Sequence, residues 1–460
     1  MEVREVCEHI WRIEKQFDMI NLKSHGVPVY QMIRQKVYYD IVAKANVYED
    51  QISKHVQGKS SKGLKRKLIS LLLMVFASVF KNPFLSFKSV DELYILHMRK
   101  KPYDGGDYDI YSHDLIKDAL KAGKKVEILD RNYENKGTNY KGVKTSFLDF
   151  LSVYSSIVQK IRKRQKLEHL DKVIAIENEL NKTFGISYNL SELLENRLNT
   201  FLVKSAVWKR LFKLKKIKSL TLVVGYGWGD LYWAAKQLGI KTREVQHGII
   251  TKYHLGYSYP NYNKEFIGYP DELLLWGDFW KNSAPYPLAD NKLKTIGFKY
   301  FQNNFENQIK LEKDGSILVL SQGGIGNQLA EFIELNLDFF KQFKVNYKLH
   351  PSEYKIWKEY PSLLRISQFS FIEIIDHNDI ELYDLMQKAD IQVGVFSTAL
   401  FEGIAFKCKT LVVQLSGSEN LDNLVSKGFA KKFSLKKHQP KDLEAVRNIS
   451  FTDHNSLFYA

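Results

Sequence analysis

From Glu92 onward, apolar runs of four or five residues are each closed by a polar or glycine-rich stretch. They alternate with segments whose apolar residues fall three and four apart. The runs fit strands buried on both faces, and the spaced residues fit helices packed on one side. ELYILHM, KVEIL, LTLVV, TREVQ, ELLLW and KLKTIGF read as strands of one unit, with helices over about 112–122 and 229–238. SILVL, VNYKL, FIEII, IQVGV and TLVVQL read as strands of a second unit, with one helix near 380–389 and another starting near Ala399. Strand, helix and strand in succession predict parallel βαβ units. The fold class is therefore α/β, with two Rossmann-like domains facing a cleft.

Two helical regions flank this grammar. Val3, Val6, Ile10, Ile13 and Phe17 mark one helix face, Gly26-Val27-Pro28 breaks the pattern, and a second helix covers about 29–47. Residues 1–90 thus form a helical N-terminal extension that serves packing more than chemistry. Residues 91–301 form the first domain, interrupted by a basic helical insert at 145–218 that contains KIRKRQK and KRLFKLKKIK. The polar stretch 302–315 is the candidate linker. Residues 302–435 form the second domain, and 436–460 a polar C-terminal tail.

Composition narrows the class. Hydrophobic residues make up 44% and charged residues 26%, as in a globular chain. Lys and Arg total 68 against 52 Asp and Glu, a formal charge of +16, which favours anionic partners. No nucleic-acid-binding motif accompanies that charge, so nucleic acid is the weakest of these partners. Cys7 and Cys408 have no paired spacing and imply neither a disulfide framework nor a zinc site. Together with the charged start MEVREVCEHIW, they point to the cytoplasm. The apolar run from Leu68 to Phe80 is shorter than the roughly 20 residues a bilayer requires. Lys62, Lys65, Arg66 and Lys67 precede it, so it reads either as a core helix or as a peripheral element on an anionic inner-membrane face.

Candidate chemistry gathers at the C-terminal ends of strands, where ligands bind in open α/β sheets. Gln246-His247-Gly248 ends a first-domain strand and is followed by His254 and Tyr257. An imidazole there can act as a general base on a hydroxyl, or can serve structure alone. Ser321-Gln322-Gly323-Gly324-Ile325-Gly326 lies between a strand and a helix, where backbone N–H groups can hold phosphate or the glycines can simply permit a tight turn. Pro351 ends the strand that carries His350, placing that imidazole at the sheet edge. Ser397 and Thr398 precede a helix, as an N-cap or as hydroxyls aimed at an anion. Glu402 lies one turn further on, fit to accept hydrogen bonds from a ribose diol or to favour the helix start. Asp230 opens a helix as a cap or a catalytic carboxylate, and Asp107 belongs to an Asp-x-Asp pair in a turn-rich segment. No further hard ligand supports a metal site there.

Taken together, His247-Gly248, His350-Pro351 and Ser397-Thr398 resemble the motifs of bacterial GT-B glycosyltransferases of surface-polysaccharide synthesis. The nearest likeness is to the group of capsule polymerases, polysialyltransferases and CDP-glycerol glycerophosphotransferases. The resemblance covers roughly residues 220–425. It implies an inverting, metal-independent transfer in capsule or lipopolysaccharide synthesis, without a cofactor. The donor would be a CMP-, CDP- or UDP-linked sugar, and the acceptor an oligosaccharide or lipid-linked glycan. Gln322, Gly323, Gly324, His350, Pro351, Ser397, Thr398 and Glu402 would hold the donor. His247, or else Asp230 or Asp107, would be the base, and His254 and Tyr257 would contact sugar. Transfer of a polyol phosphate from a CDP-linked donor is the alternative that uses the same motifs.

Overall fold

The computed structural model describes residues 1–47, 81–86, 88–131, 140–262, 266–307, 311–451 and 454–460. The apolar run Leu68–Phe80, with the basic residues before it, lies outside the described residues. Among the described residues, no helix is long and apolar enough to cross a membrane.

The strands are β1 (Lys23–Ser24), β2 (Val27–Pro28), β3 (Glu92–Ile95), β4 (Lys100–Tyr103), β5 (Gly106–Asp109), β6 (Val126–Asp130), β7 (Lys144–Phe147), β8 (Ser219–Val223), β9 (Lys241–Val245), β10 (Glu272–Leu275) and β11 (Leu293–Thr295) in the first 301 residues. The second domain contributes β12 (Ile317–Leu320), β13 (Val345–Lys348), β14 (Ile372–Ile375), β15 (Ile391–Gly394), β16 (Lys409–Gln414) and β17 (Ala430–Ser434). The first sheet runs β7-β6-β3-β8-β9-β10-β11 and the second β14-β13-β12-β15-β16-β17, and every pairing in both is parallel. In each domain the first strand in sequence lies inside the sheet and the order reverses beside it. This is the doubly wound arrangement, and it opens a crevice beyond the strand ends at the reversal. The reversal falls between β3 and β8 in one sheet and between β12 and β15 in the other. The architecture is that of two Rossmann-like α/β domains of the GT-B type.

Differences from the sequence reading have local causes. Lys144–Phe147 and Ala430–Ser434 are edge strands, and their polar sequences KTSF and AKKFS lack the apolar run of a buried strand. The Asp104 segment forms the antiparallel hairpin β4–β5, which turns through Asp104 and Gly105 at φ of 51° and 81°. The first part of the 302–315 stretch belongs to a helix, Lys299–Asn307, because Phe298, Phe301 and Phe305 bind it to the core. The C-terminal residues return to the first domain. Leu457 and Phe458 are fully buried, and the Trp280 indole donates to the Leu457 carbonyl at 2.7 Å.

The N-terminal helices Val3–Gln16 and Arg34–Lys44 do more than cover the sheet. Arg34 and Glu14, each 1% exposed, form a buried two-point ion pair, with Nε–Oε1 at 2.6 Å and Nη2–Oε2 at 3.0 Å. Arg34 also donates to the carbonyls of Leu255 and Ser258, and its guanidinium lies over the Tyr259 ring at 4.1 Å. The extension therefore clamps the loop that carries His254 and Tyr257. Across the domains, Phe401 packs on Trp280 at 5.0 Å between ring centroids, and Thr251 donates to Asn420 at 2.7 Å.

Candidate functional site

The first domain supplies a cluster of three imidazoles. His97 follows β3, His247 follows β9, and His254 lies on the clamped loop. The His97 and His247 rings are 6.1 Å apart. Tyr226 lies 6.0 Å from His247 and 5.1 Å from His254. Gln246 aims His247: its amide donates to the Gly248 carbonyl at 2.9 Å and accepts from the Trp276 N–H at 2.9 Å. Asp109, fully buried, holds the other arm by accepting from the His97 N–H at 2.9 Å and from the Ser112 hydroxyl at 2.7 Å. Burial pushes all three histidines down, His247 to about 3 and His97 and His254 to about 4. For His247, repulsion from Arg99, and from His254 or His97 when either is protonated, adds to that cause. The cluster is thus neutral at physiological pH. The Nδ1 atoms of His247 and His254 are buried without a hydrogen-bond partner.

Beneath the cluster lies Glu244, 1% exposed and pushed up to about 7 by burial. It accepts from the hydroxyls of Tyr257 at 2.5 Å and Tyr232 at 3.2 Å. A Cβ on Gly225 would lie 2.0 Å from its Oε2, so only glycine lets the loop after β8 approach this carboxyl. Tyr257 is 1% exposed and its hydroxyl is committed to Glu244, so it shapes the loop from beneath.

The second domain faces this cluster. Ser397 caps the helix Thr398–Ala405 by accepting from the Ala399 N–H at 3.2 Å. A Cβ on Gly248 would lie 3.8 Å from Thr398 Oγ1, which places the His247 loop against the helix start across the cleft. One turn on, Glu402 is 6% exposed and pushed up to about 7 by burial, a shift that Arg99 of the first domain and a hydrogen bond from Tyr383 oppose. Arg99 also donates to Tyr111 at 3.0 Å. Gln322 spans the crevice between β12 and β15, exchanging two 3.3 Å hydrogen bonds with the Phe396 backbone.

The glycine loop after β12 rests on the His350 segment. Glu353, fully buried and pushed up to about 7 by burial, accepts from the His350 N–H at 2.8 Å and from Ser321 at 3.0 Å. Cβ atoms on Gly323 and Gly326 would lie 2.5 Å from Ser352 Oγ and 2.1 Å from Glu353 Oε1. His350 Nδ1 pairs with Ser352 Oγ at 2.7 Å, beside Pro351 and the loop of Gln322, Gly323 and Gly324.

The structure therefore gathers His247, His254, Thr398 and Glu402, and sets His350 with the glycine loop. It does not bring Asp230 or Asp107 to them. Asp230 is buried against Trp208, whose indole donates to it at 3.0 Å. Asp107 is exposed on hairpin strand β5. His97, Arg99, Glu244 and Glu353 are site residues that the motif reading passed over. His97 carried a usable signal, since it closes an apolar strand just as His247 does.

A neutral imidazole on a loop packed against a capped helix start can accept a proton from a hydroxyl while N–H groups and Arg99 receive negative charge. The chain matches no protein-family model and no curated protein sequence. Among solved structures it is similar to the UDP-GlcNAc 2-epimerase of Methanocaldococcus jannaschii, with 13% identity over 80% of this chain and 96% of that one and a TM-score of 0.48. It is similar to MurG of Acinetobacter baumannii, with 13% identity over 78% and 91% and a TM-score of 0.41. A glycosyltransferase from Rickettsia africae gives 14% identity over 80% and 91%, also with a TM-score of 0.41.

Proposed function

We propose that the chain is an inverting glycosyltransferase. It moves a sugar from a CMP-, CDP- or UDP-linked donor to a glycan acceptor in bacterial capsule or lipopolysaccharide synthesis. One observation carries this: a neutral His247 with an unpartnered Nδ1 adjoins Gly248, whose loop packs against Thr398 and the helix start across the interdomain cleft. The nucleotide phosphates lie at Ser397, Thr398 and the glycine loop, with His350 at their edge, and the ribose diol is held by Glu402. His247 takes the proton from the acceptor hydroxyl as that oxygen attacks the anomeric carbon. The bond to the nucleotide phosphate breaks with its electron pair, and the charge passes to the helix N–H groups and Arg99. This reading needs no metal.

An imidazole held near 3 is by itself a weak base. The phosphate charge of a bound donor raises its proton affinity, since an opposite charge nearby favours the protonated form. His247→Ala is expected to lower turnover by roughly 10²–10⁴-fold, the usual contribution of a positioned base. Nucleotide binding should remain intact. Turnover with a nucleotide-sugar panel, read beside circular dichroism of the variant, checks this, and wild-type turnover in His247→Ala removes the assigned role. Phosphodiester in place of glycosidic product would shift the assignment to polyol-phosphate transfer.

A further inference from the structure

A second concavity lies outside the histidine cluster. It opens where the chain leaves β6, β7 and β8, under two helices of the insert, Asp149–Ile161 and Leu190–Lys215. Its volume is about 280 Å³. Protein interiors leave few voids larger than a water molecule, whereas ligand pockets begin near roughly 300 Å³. The insert therefore roofs a space of ligand size.

The lining has a definite chemistry. Trp208 is buried and braces the half-buried Trp228 edge to face, with ring centroids 6.1 Å apart. Arg131 lies 6.0 Å from the Trp228 ring on one side, and Lys204 of the long helix stands on another. Asp230 forms part of the wall, buried and bonded to the Trp208 indole at 3.0 Å. Burial raises its proton affinity, and the charge of Lys204 opposes that rise. Asp149 also lines the pocket, so it holds two cations and two carboxyls. A flat indole suits the C–H face of a pyranose, the two cations suit a carboxylate or phosphate, and the carboxyls suit hydroxyl donors. The pocket adjoins the histidine cluster, because the Arg131 guanidinium reaches the sulfur of Met98, the residue after His97, at 3.7 Å.

We infer that this pocket is an acceptor subsite for an acidic glycan, a hydroxyl-rich chain that bears carboxylate or phosphate groups. One ring lies on Trp228, the anionic group lies between Arg131 and Lys204, and a hydroxyl donates to Asp230. The word acceptor rests on the transferase reading, whereas the binding itself does not. Asp230, drawn away from the histidines, has its role here.

The test is a tryptophan-fluorescence titration of the full chain with three probes of equal length: hexuronate oligomers, glycerol-phosphate oligomers and neutral glucose oligomers. The expected result is salt-sensitive binding of at least one acidic probe, with the tighter one identifying carboxylate or phosphate as the recognised group. The double variant Arg131→Ala/Lys204→Ala should weaken that probe by about tenfold or more, the loss of a charge-assisted contact. Trp228→Ala should weaken it as well, read by saturation-transfer NMR so that the missing fluorophore does not matter. The nucleotide-induced melting shift should be unchanged in both variants, which shows that they fold. Equal binding of acidic and neutral probes, no binding of any probe, or wild-type affinity in Trp228→Ala would overturn the inference. Absence of any nucleotide-induced shift in the wild type would count against the transferase reading alone, with circular dichroism then reporting the fold of the variants.

Discussion

The two faces of the cleft use one device in different settings. In the first domain Glu244 sits where Gly225 has no Cβ, and in the second Glu353 sits where Gly326 has none, at distances of 2.0 Å and 2.1 Å. Both carboxyls are buried and pushed up to about 7, and each fastens a glycine loop to the C-terminal end of a parallel strand. The settings differ in closure. Tyr257 and Tyr232 seal Glu244, and the Glu14–Arg34 pair clamps the loop above it. Among the described residues the Glu353 carboxyl is tied only to Ser321 and the His350 N–H, and the His350 side chain is exposed. The lesson is a division of labour: the first face is a braced mould for the proposed base, and the second an open edge for the proposed phosphate site.

Breaking the brace tests the contrast most severely. Arg34→Ala strands the Glu14 carboxylate in the core, an expected loss of about 3–5 kcal/mol, read by chemical denaturation. His254 exchange protection should fall while the second-domain loops keep theirs. Next are the two glycines. Gly225→Ala and Gly326→Ala each force a carboxyl aside, at about 1–3 kcal/mol of overpacking. Gly225→Ala should also lower turnover through displacement of Tyr226, whereas Gly326→Ala should weaken nucleotide binding. If both variants damaged the same step, the division of labour would fail.

Acid separates the faces by sign. Glu353 and Glu402 titrate near 7 in the fold, against about 4.3 unfolded. Their contribution is fully present below that lower value and is lost as pH rises through 7. The first-face histidines, held at about 3 to 4 against about 6.5 unfolded, contribute in full above 6.5 and lose it as pH falls. Glu244, and Asp109 at about 6, offset part of that loss. Moving from pH 7.5 to pH 5 should therefore protect second-face amides and deprotect first-face loops in hydrogen exchange. Glu353→Gln should flatten the second-face response. The smallest effect is expected for Ser397→Ala, where loss of the cap costs about 1 kcal/mol, read as a lower melting temperature with a modest loss of nucleotide affinity.

Most of the strand framework was legible because parallel strands buried on both faces are written as unbroken apolar runs, from ELYIL to TLVVQ. The edge strands KTSF and AKKFS were not, because an edge is kept polar. His247, Thr398 and Glu402 were legible from their places after strands. Glu244 was not, since its meaning depends on Tyr232, Tyr257 and Gly225, which only the fold brings together. The role of the N-terminal helices was hidden for the same reason: nothing local to Arg34 shows that it meets Glu14 and the carbonyl of Leu255.

The most direct measurement of the central claim is the thermal shift of the wild type, His247→Ala and Glu402→Ala with CMP, CDP, UDP, GDP and ADP, each with and without Mg²⁺. A bound nucleotide raises the melting temperature by mass action. The expected result is a clear shift with one pyrimidine nucleotide that is unaffected by metal, retained in His247→Ala and reduced in Glu402→Ala. No shift with any nucleotide, or a shift that vanishes without Mg²⁺, would contradict it.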